Sequence, residues 1–149
     1  MDDFTATDIA HASHWDASVI RSYDDGDEAT VVALLAVVFP NDSAWNVPLE
    51  VVQRELLLVA EIDGVVVGTV MAGFDGVRGW VYKLAVHLDH RRRGLASGLM
   101  TEAERRLRAV GCPRLNLQVR ASNADVVAFY RRLGYAVEEN VSLGERLET

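Results

Sequence analysis

Apolar and polar positions follow two different rhythms along this chain. Residues 56–62 and 65–71 are short, nearly continuous apolar runs split by Asp63-Gly64. Asp-Gly between two such runs predicts a tight hairpin, because both turn residues must take positive φ. A third strand, 80–86, follows a looser turn at Asp75-Gly76-Val77-Arg78-Gly79. From 94 to 110 the rhythm changes. Leu95, Leu99, Ala103 and Leu107 recur every four residues, which lays one apolar stripe along a helix. Gly111 and Pro113 stop that helix. Residues 114–119 alternate again, with Leu115, Leu117 and Val119 inward and Asn116 and Gln118 outward. A helix over 123–133 ends at Gly134, and 135–147 close the chain as an extended segment.

The first third reads less sharply. Residues 18–23 predict a strand, and Asp24-Asp25-Gly26-Asp27 supplies turn and cap chemistry. A helix over 27–38 should carry Ala33, Leu34 and Val37 on its apolar side. Pro40-Asn41-Asp42-Ser43 breaks it, and Pro48 opens a short helix through Arg54. The element order is β, α, α, three strands, α, β, α, β. It predicts an α/β layered domain with a mixed sheet. The strand 80–86, the long helix and the strand 114–119 form a β-α-β crossover, right-handed with parallel strands.

Length and charge narrow the functions. The chain has 149 residues, one domain's worth. We read 1–17 as an N-terminal extension and 18–149 as a single domain. Fifteen basic residues against 22 acidic ones give a net charge of −7, which argues against nucleic acid as a partner. It would suit a cationic partner, although solubility alone also explains a negative surface. Cys112 is the single cysteine, so no intrachain disulfide or multi-cysteine metal site is expected. The first 17 residues are polar and acidic, unlike a signal peptide, and no apolar stretch is long enough to span a bilayer. Cytoplasm is the expected compartment, and no membrane partner is expected.

The candidate chemistry lies where the third strand ends. Val86-His87-Leu88-Asp89-His90-Arg91-Arg92-Arg93-Gly94-Leu95-Ala96-Ser97-Gly98 is a basic, glycine-bearing loop leading into a long helix. The first turn of a helix has unpaired N–H groups and a partial positive charge. Donors aimed outward there make a pocket for phosphate oxygens. Three arginines at a helix start oppose the macrodipole, a cost that a bound anion offsets. Neither the P-loop pattern nor the dinucleotide fingerprint is present.

These residues resemble the GNAT family of N-acetyltransferases. The family's acetyl-coenzyme A signature is Gln or Arg, two residues, Gly, one residue, then Gly or Ala. Here it reads Arg91-Arg92-Arg93-Gly94-Leu95-Ala96. Downstream, Asn123 followed by a helix containing Phe129-Tyr130 and ending in Gly134-Tyr135 resembles the second signature. Upstream, Val59-Ala60-Glu61, Asp63-Gly64 and Val67-Gly68 resemble the family's central hairpin. Thr69-Val70-Met71, Gly111-Cys112-Pro113 and Ser142-Leu143-Gly144 bring the chain closer to a small bacterial subgroup labelled YpeA-like.

The resemblance implies a three-layer fold with a mixed, mostly antiparallel sheet. It implies acetyl-coenzyme A as acyl donor, no metal, and a small-molecule or peptide amine as acceptor. Leu84, Ala85 and Val86 would hydrogen-bond the pantetheine arm through their backbone. Arg91, Arg92, Arg93, Gly94, Leu95, Ala96 and Ser97 would bind pyrophosphate, and Asn123 would contact the cofactor near the pantetheine. The Leu84 N–H would stabilise the oxyanion, and Tyr130 would protonate the leaving sulfur. Glu61 is a candidate general base, with Tyr82, His87 and His90 as others. The acceptor should enter near 38–55 and 72–79, where Phe39, Trp45, Phe74 and Trp80 stand. The runner-up reading is a coenzyme A-binding module of the same fold without chemistry, and a third is a protein-interaction domain. Monomer and homodimer both remain open.

Overall fold

Asp63 at φ 51° and Gly64 at φ 81° make the hairpin turn, both left-handed as a two-residue loop requires. The computed structural model that contains it describes residues 18–40 and 54–147. Among those residues one five-stranded sheet runs in chain order. Its strands are β1 (Ser18–Ser22), β2 (Leu57–Ile62), β3 (Val65–Phe74), β4 (Gly79–Val86) and β5 (Leu115–Leu117). The first three pairings are antiparallel. The pairing of β4 with β5 is parallel, as the crossover predicts. The helices are α1 (Glu28–Val38), α2 (Leu95–Ala109) and α3 (Ala124–Arg132). The chain divides into two compact units between Gln118 and Val119. The sheet, α1 and α2 belong to the first, and α3 with the C-terminal segment to the second.

In the first unit the two faces of the sheet are covered by different helices. Leu57, Val59, Met71 and Ala85 join Tyr23, Val31, Leu34 and Leu35 in one cluster under α1. The alternate residues Leu58, Ala60 and Val70 are fully buried on the other face. There Leu95, Leu99, Ala103 and Leu107 of α2 are buried, as their spacing predicts. Each such leucine contributes roughly 1.5–3 kcal/mol. Gly68 is what lets α2 lie close. A Cβ there would stand 3.2 Å from Leu99 Cδ1 and 3.3 Å from the Ala85 carbonyl.

Three expectations are corrected. The inward side of α1 is Val31, Leu34 and Leu35, while Ala33 and Val37 are exposed. This helix is apolar at most positions, so no polar side fixes its phase, and fit against the sheet decides instead. The strand expected over 114–119 shortens to Leu115–Leu117, because β4 pairs with it only over Gly79, Trp80 and Val81. Residues 135–147 form no strand, and Val137, Val141, Leu143 and Leu147 are exposed. An apolar alternation gives a strand only where a neighbouring edge accepts its backbone. The extension 1–17, the helix expected from Pro48 and Trp45 lie outside the described residues; Arg54 opens a 3-10 turn, Arg54–Leu56.

Candidate active site

The site begins with an irregularity in β4. Met71 lies opposite Lys83, but Ala72 lies opposite Val81, so β4 carries one extra residue, Tyr82. Such a bulge bends the strand and shifts its alternation by one. Before it, Gly79 N–H donates to the Arg114 carbonyl at 2.8 Å, facing β5. After it, His87 N–H donates to the Val67 carbonyl at 2.8 Å, facing β3. Counted back in twos along an antiparallel ladder, Ala85 and Lys83 also face β3, and Leu84 and Val86 face outward. The ladder to β5 covers only Gly79 to Val81. The outward groups of Leu84 and Val86 therefore have no strand partner among the described residues. Ala85 spends its own backbone on β3 and contributes a small, buried side chain.

The loop after β4 is held by its own side chains. Arg91 Nε donates to the Val86 carbonyl at 3.1 Å. His87 Nδ1 accepts from Asp89 N–H at 3.2 Å and caps the short turn Leu88–His90. Arg92 has φ 65°, a left-handed conformation that costs a residue with a side chain roughly 1–2 kcal/mol. Gly94 takes φ 77° as the N-cap of α2, where only glycine is at ease. No side chain caps that helix end, and no acidic residue occupies its first turn. The first helical bond runs from Gly98 N–H to the Gly94 carbonyl, 2.9 Å. The N–H groups of Leu95 and Ala96 thus have no intrahelical acceptor. Arg91, Arg92 and Arg93 are exposed around this end, while Ser97 is buried one turn in. Left-handed backbone, uncapped N–H groups and clustered cations together suit a multiply charged anion such as a pyrophosphate.

Glu61 stands elsewhere. It is in β2, and its carboxylate accepts from Arg21 Nε at 3.0 Å. The same guanidinium grips both oxygens of Asp27, at 2.8 and 2.9 Å. Arg21 is thus a strut joining β1, β2 and the turn before α1. Tyr82 is 63% exposed. The His87 and His90 rings meet edge to face at 6.0 Å, and His90 Nδ1 is buried without a hydrogen-bond partner among the described residues. Phe39, Phe74 and Trp80 are half-buried.

In the second unit, Asn123 is the N-cap of α3, and its side-chain oxygen accepts from Val126 N–H at 3.3 Å. Tyr130, seven residues on, shares that side of the helix two turns away. It is buried, with Phe129 and Tyr135 edge-on to its ring at 5.1 and 5.7 Å. Burial pushes its phenol up to about 12, so it keeps its proton throughout the neutral range.

Three features escaped sequence reasoning. The bulge leaves no mark in composition, since Val81-Tyr82-Lys83 reads as ordinary strand. The tie from Arg91 to Val86 is hidden because an arginine in a basic loop reads as a ligand for the anion. Lys83 stands out in the sequence as the one lysine among 15 lysines and arginines, which reads there as composition; that its Nζ lies 4.7 Å from the centre of the Phe39 ring is not visible in the sequence.

Comparison with known proteins bears on the fold and the family. The family model for the acetyltransferase (GNAT) family matches residues 19–135. An acetyltransferase of Yersinia pestis is 45% identical over 109 residues, covering 69% of this chain and 77% of that protein. Among solved structures, aminoglycoside N-acetyltransferase AAC(6')-Iy in complex with CoA superposes with a TM-score of 0.72 at 19% identity, covering 88% of this chain and 95% of that one. Arabidopsis thaliana Naa50, in complex with a bisubstrate analogue, superposes with a TM-score of 0.68 at 20% identity, covering 83% and 85%. Those two likenesses speak for the fold, and the sequence matches speak for more: the chain belongs to the GNAT family of acetyltransferases.

Proposed function

We propose that this protein transfers an acetyl group from acetyl-coenzyme A to a primary amine by direct attack in a ternary complex. The observation that carries the reading is the open half of β4 leading into an uncapped, arginine-ringed helix start. The outward N–H and carbonyl of Leu84 and the outward N–H of Val86 offer an extended ligand a ladder to pair with. The Arg91–Ser97 stretch offers its pyrophosphate a set of backbone donors. Asn123 contacts the arm near its pantetheine end. The family model runs through both compact units, which supports reading 18–149 as one functional domain. We place the enzyme in the cytoplasm.

The neutral amine nitrogen attacks the thioester carbonyl, and the C–S bond breaks as the amide C–N bond forms. The Leu84 N–H stabilises the oxyanion on the way, a type of contact worth roughly 100- to 1,000-fold in rate. The nitrogen releases its extra proton to water, and Tyr130 supplies one to the departing thiolate. Glu61, engaged by Arg21, is assigned no part in these transfers.

Calorimetric titration with acetyl-coenzyme A tests the cradle, using Gly94→Glu as the control. Saturable binding to the wild type and none to the variant is the expected outcome, since the variant strains a left-handed position and sets a carboxylate against the phosphates. A wild type that binds nothing at millimolar cofactor overturns the reading.

A further inference from the structure

Arg91 holds a place in the loop after β4 that its charge does not explain. Its Nε donates to the Val86 carbonyl at 3.1 Å, five residues back. The peptide between Val86 and His87 is thereby pinned from both sides, because His87 N–H donates to the Val67 carbonyl at 2.8 Å. The residues inside the tie are bonded among themselves. His90 N–H donates to the His87 carbonyl at 2.9 Å, and Asp89 N–H donates to His87 Nδ1 at 3.2 Å. The tie therefore closes a small ring that runs from the last residue of β4 to the residue before the left-handed Arg92. A strained position such as Arg92 persists only where its surroundings over-determine it, and the ring supplies that fixing on one side. The two stretches that the ring joins are the open edge of β4 and the uncapped start of α2, both assigned above to one ligand.

We propose that Arg91 is a positioning residue: its side chain sets the spacing between the arm-binding edge and the pyrophosphate cradle, through the N–H at Nε and not through its charge. This rests on the coenzyme A site proposed above and deepens it. An extended ligand moored at two places binds best when both are already held at its own spacing. With its carbonyl taken by Arg91, Val86 presents the arm with a donor and no competing acceptor. A guanidinium that served the anion as a charge would be replaceable by another cation of similar reach. One that serves as a tie is replaceable by a neutral side chain with an N–H in the same place. Glutamine has one, because its amide nitrogen stands as many bonds from Cα as the Nε of arginine. Lysine keeps the charge but carries a methylene at that point, so it cannot make the same bond.

The test is calorimetric titration of acetyl-coenzyme A into the wild type, Arg91→Gln, Arg91→Lys and Arg91→Met, with the melting temperature of each read alongside. Arg91→Met and Arg91→Lys should weaken binding roughly 10- to 100-fold, the worth of a hydrogen bond donated by a charged group, and Arg91→Gln should recover most of that loss. The melting temperatures should not follow this order. Binding by Arg91→Lys as tight as by Arg91→Gln or tighter, equal affinity in all four proteins, or losses that track the melting temperatures overturn the proposal and leave the acetyltransferase reading standing. A wild type that binds no acetyl-coenzyme A overturns both. Binding in the expected order with no turnover of any amine overturns the acetyltransferase reading and upholds the role of Arg91.

Discussion

Residues 79–81 and 82–86 belong to one strand and have been given opposite tasks. The first three pair with β3 on one side and β5 on the other. Gly79 is so tightly enclosed that a Cβ would come within 2.8 Å of Cys112 Sγ. Of the last five, Lys83 to Val86 pair with β3 alone and Tyr82 pairs with nothing in the sheet. One inserted residue, Tyr82, separates a closed half that holds the crossover together from a half whose outward amides have no strand partner among the described residues. An open edge can thus be made inside a stable sheet by ending one neighbour early and shifting the phase of the strand it leaves.

The comparison can be broken most forcefully at neighbouring positions in the open half. Leu84→Pro removes an outward N–H and spares the ladder to β3, so the protein should fold and lose roughly 100-fold or more in kcat. Ala85→Pro removes a ladder bond and should lower the melting temperature, with activity lost through unfolding. Equal losses of stability in the two variants would mean that the assigned alternation is wrong. Tyr130→Phe tests the proposed proton donor to the leaving thiolate. It should lower kcat roughly 100-fold or more with the acceptor saturating, and full kcat would remove that role. Because burial pushes this phenol up to about 12, it is still the acid form at pH 10. The difference in rate between wild type and variant should therefore hold from pH 7 to 10.

Legibility in the sequence divides along the same line. The hairpin at Asp63-Gly64, the stripe of α2 and the uncapped helix start at Gly94 were readable because each rests on local chemistry: positive φ, a four-residue period, and a glycine before a helix. The open half of β4 was nameable only through family resemblance. Which of its residues face outward depends on a register with β3 and a phase shift at Tyr82, both long-range facts. The phase of α1 was misread for a related reason. Val32, Ala33, Ala36 and Val37 are as apolar as the buried Val31, Leu34 and Leu35, so the pattern held no information about which side packs. Glu61 shows a partner the sequence does not reveal. A carboxylate on the central hairpin invites a catalytic role, and its partner Arg21 lies 40 residues away in sequence.

Smaller effects sharpen the closed half. Gly79→Ala should cost roughly 1–3 kcal/mol by overpacking against Cys112, seen as a lower denaturation midpoint. Cys112→Ala in the same chain should restore most of it, and failure of that rescue would place the crowding elsewhere. Glu61→Gln is expected to do least. It weakens a partly exposed ion pair with Arg21, worth below roughly 1 kcal/mol, and leaves the pH profile of kcat unchanged. A displaced acid limb in that profile would return Glu61 to the list of bases.

An unpaired length of strand is also a hazard, because its amides will accept any extended chain that drifts past, including one from a neighbouring molecule. Here the exposure is kept small. The bulge at Tyr82 disturbs the edge at its start, and Arg91 occupies the Val86 carbonyl at its end. Leu84 is left as the residue whose two outward groups have no strand partner among the described residues. A cofactor arm bound there, as proposed above, would cover them as well, so that the ligand the reaction consumes would also guard this edge against self-association.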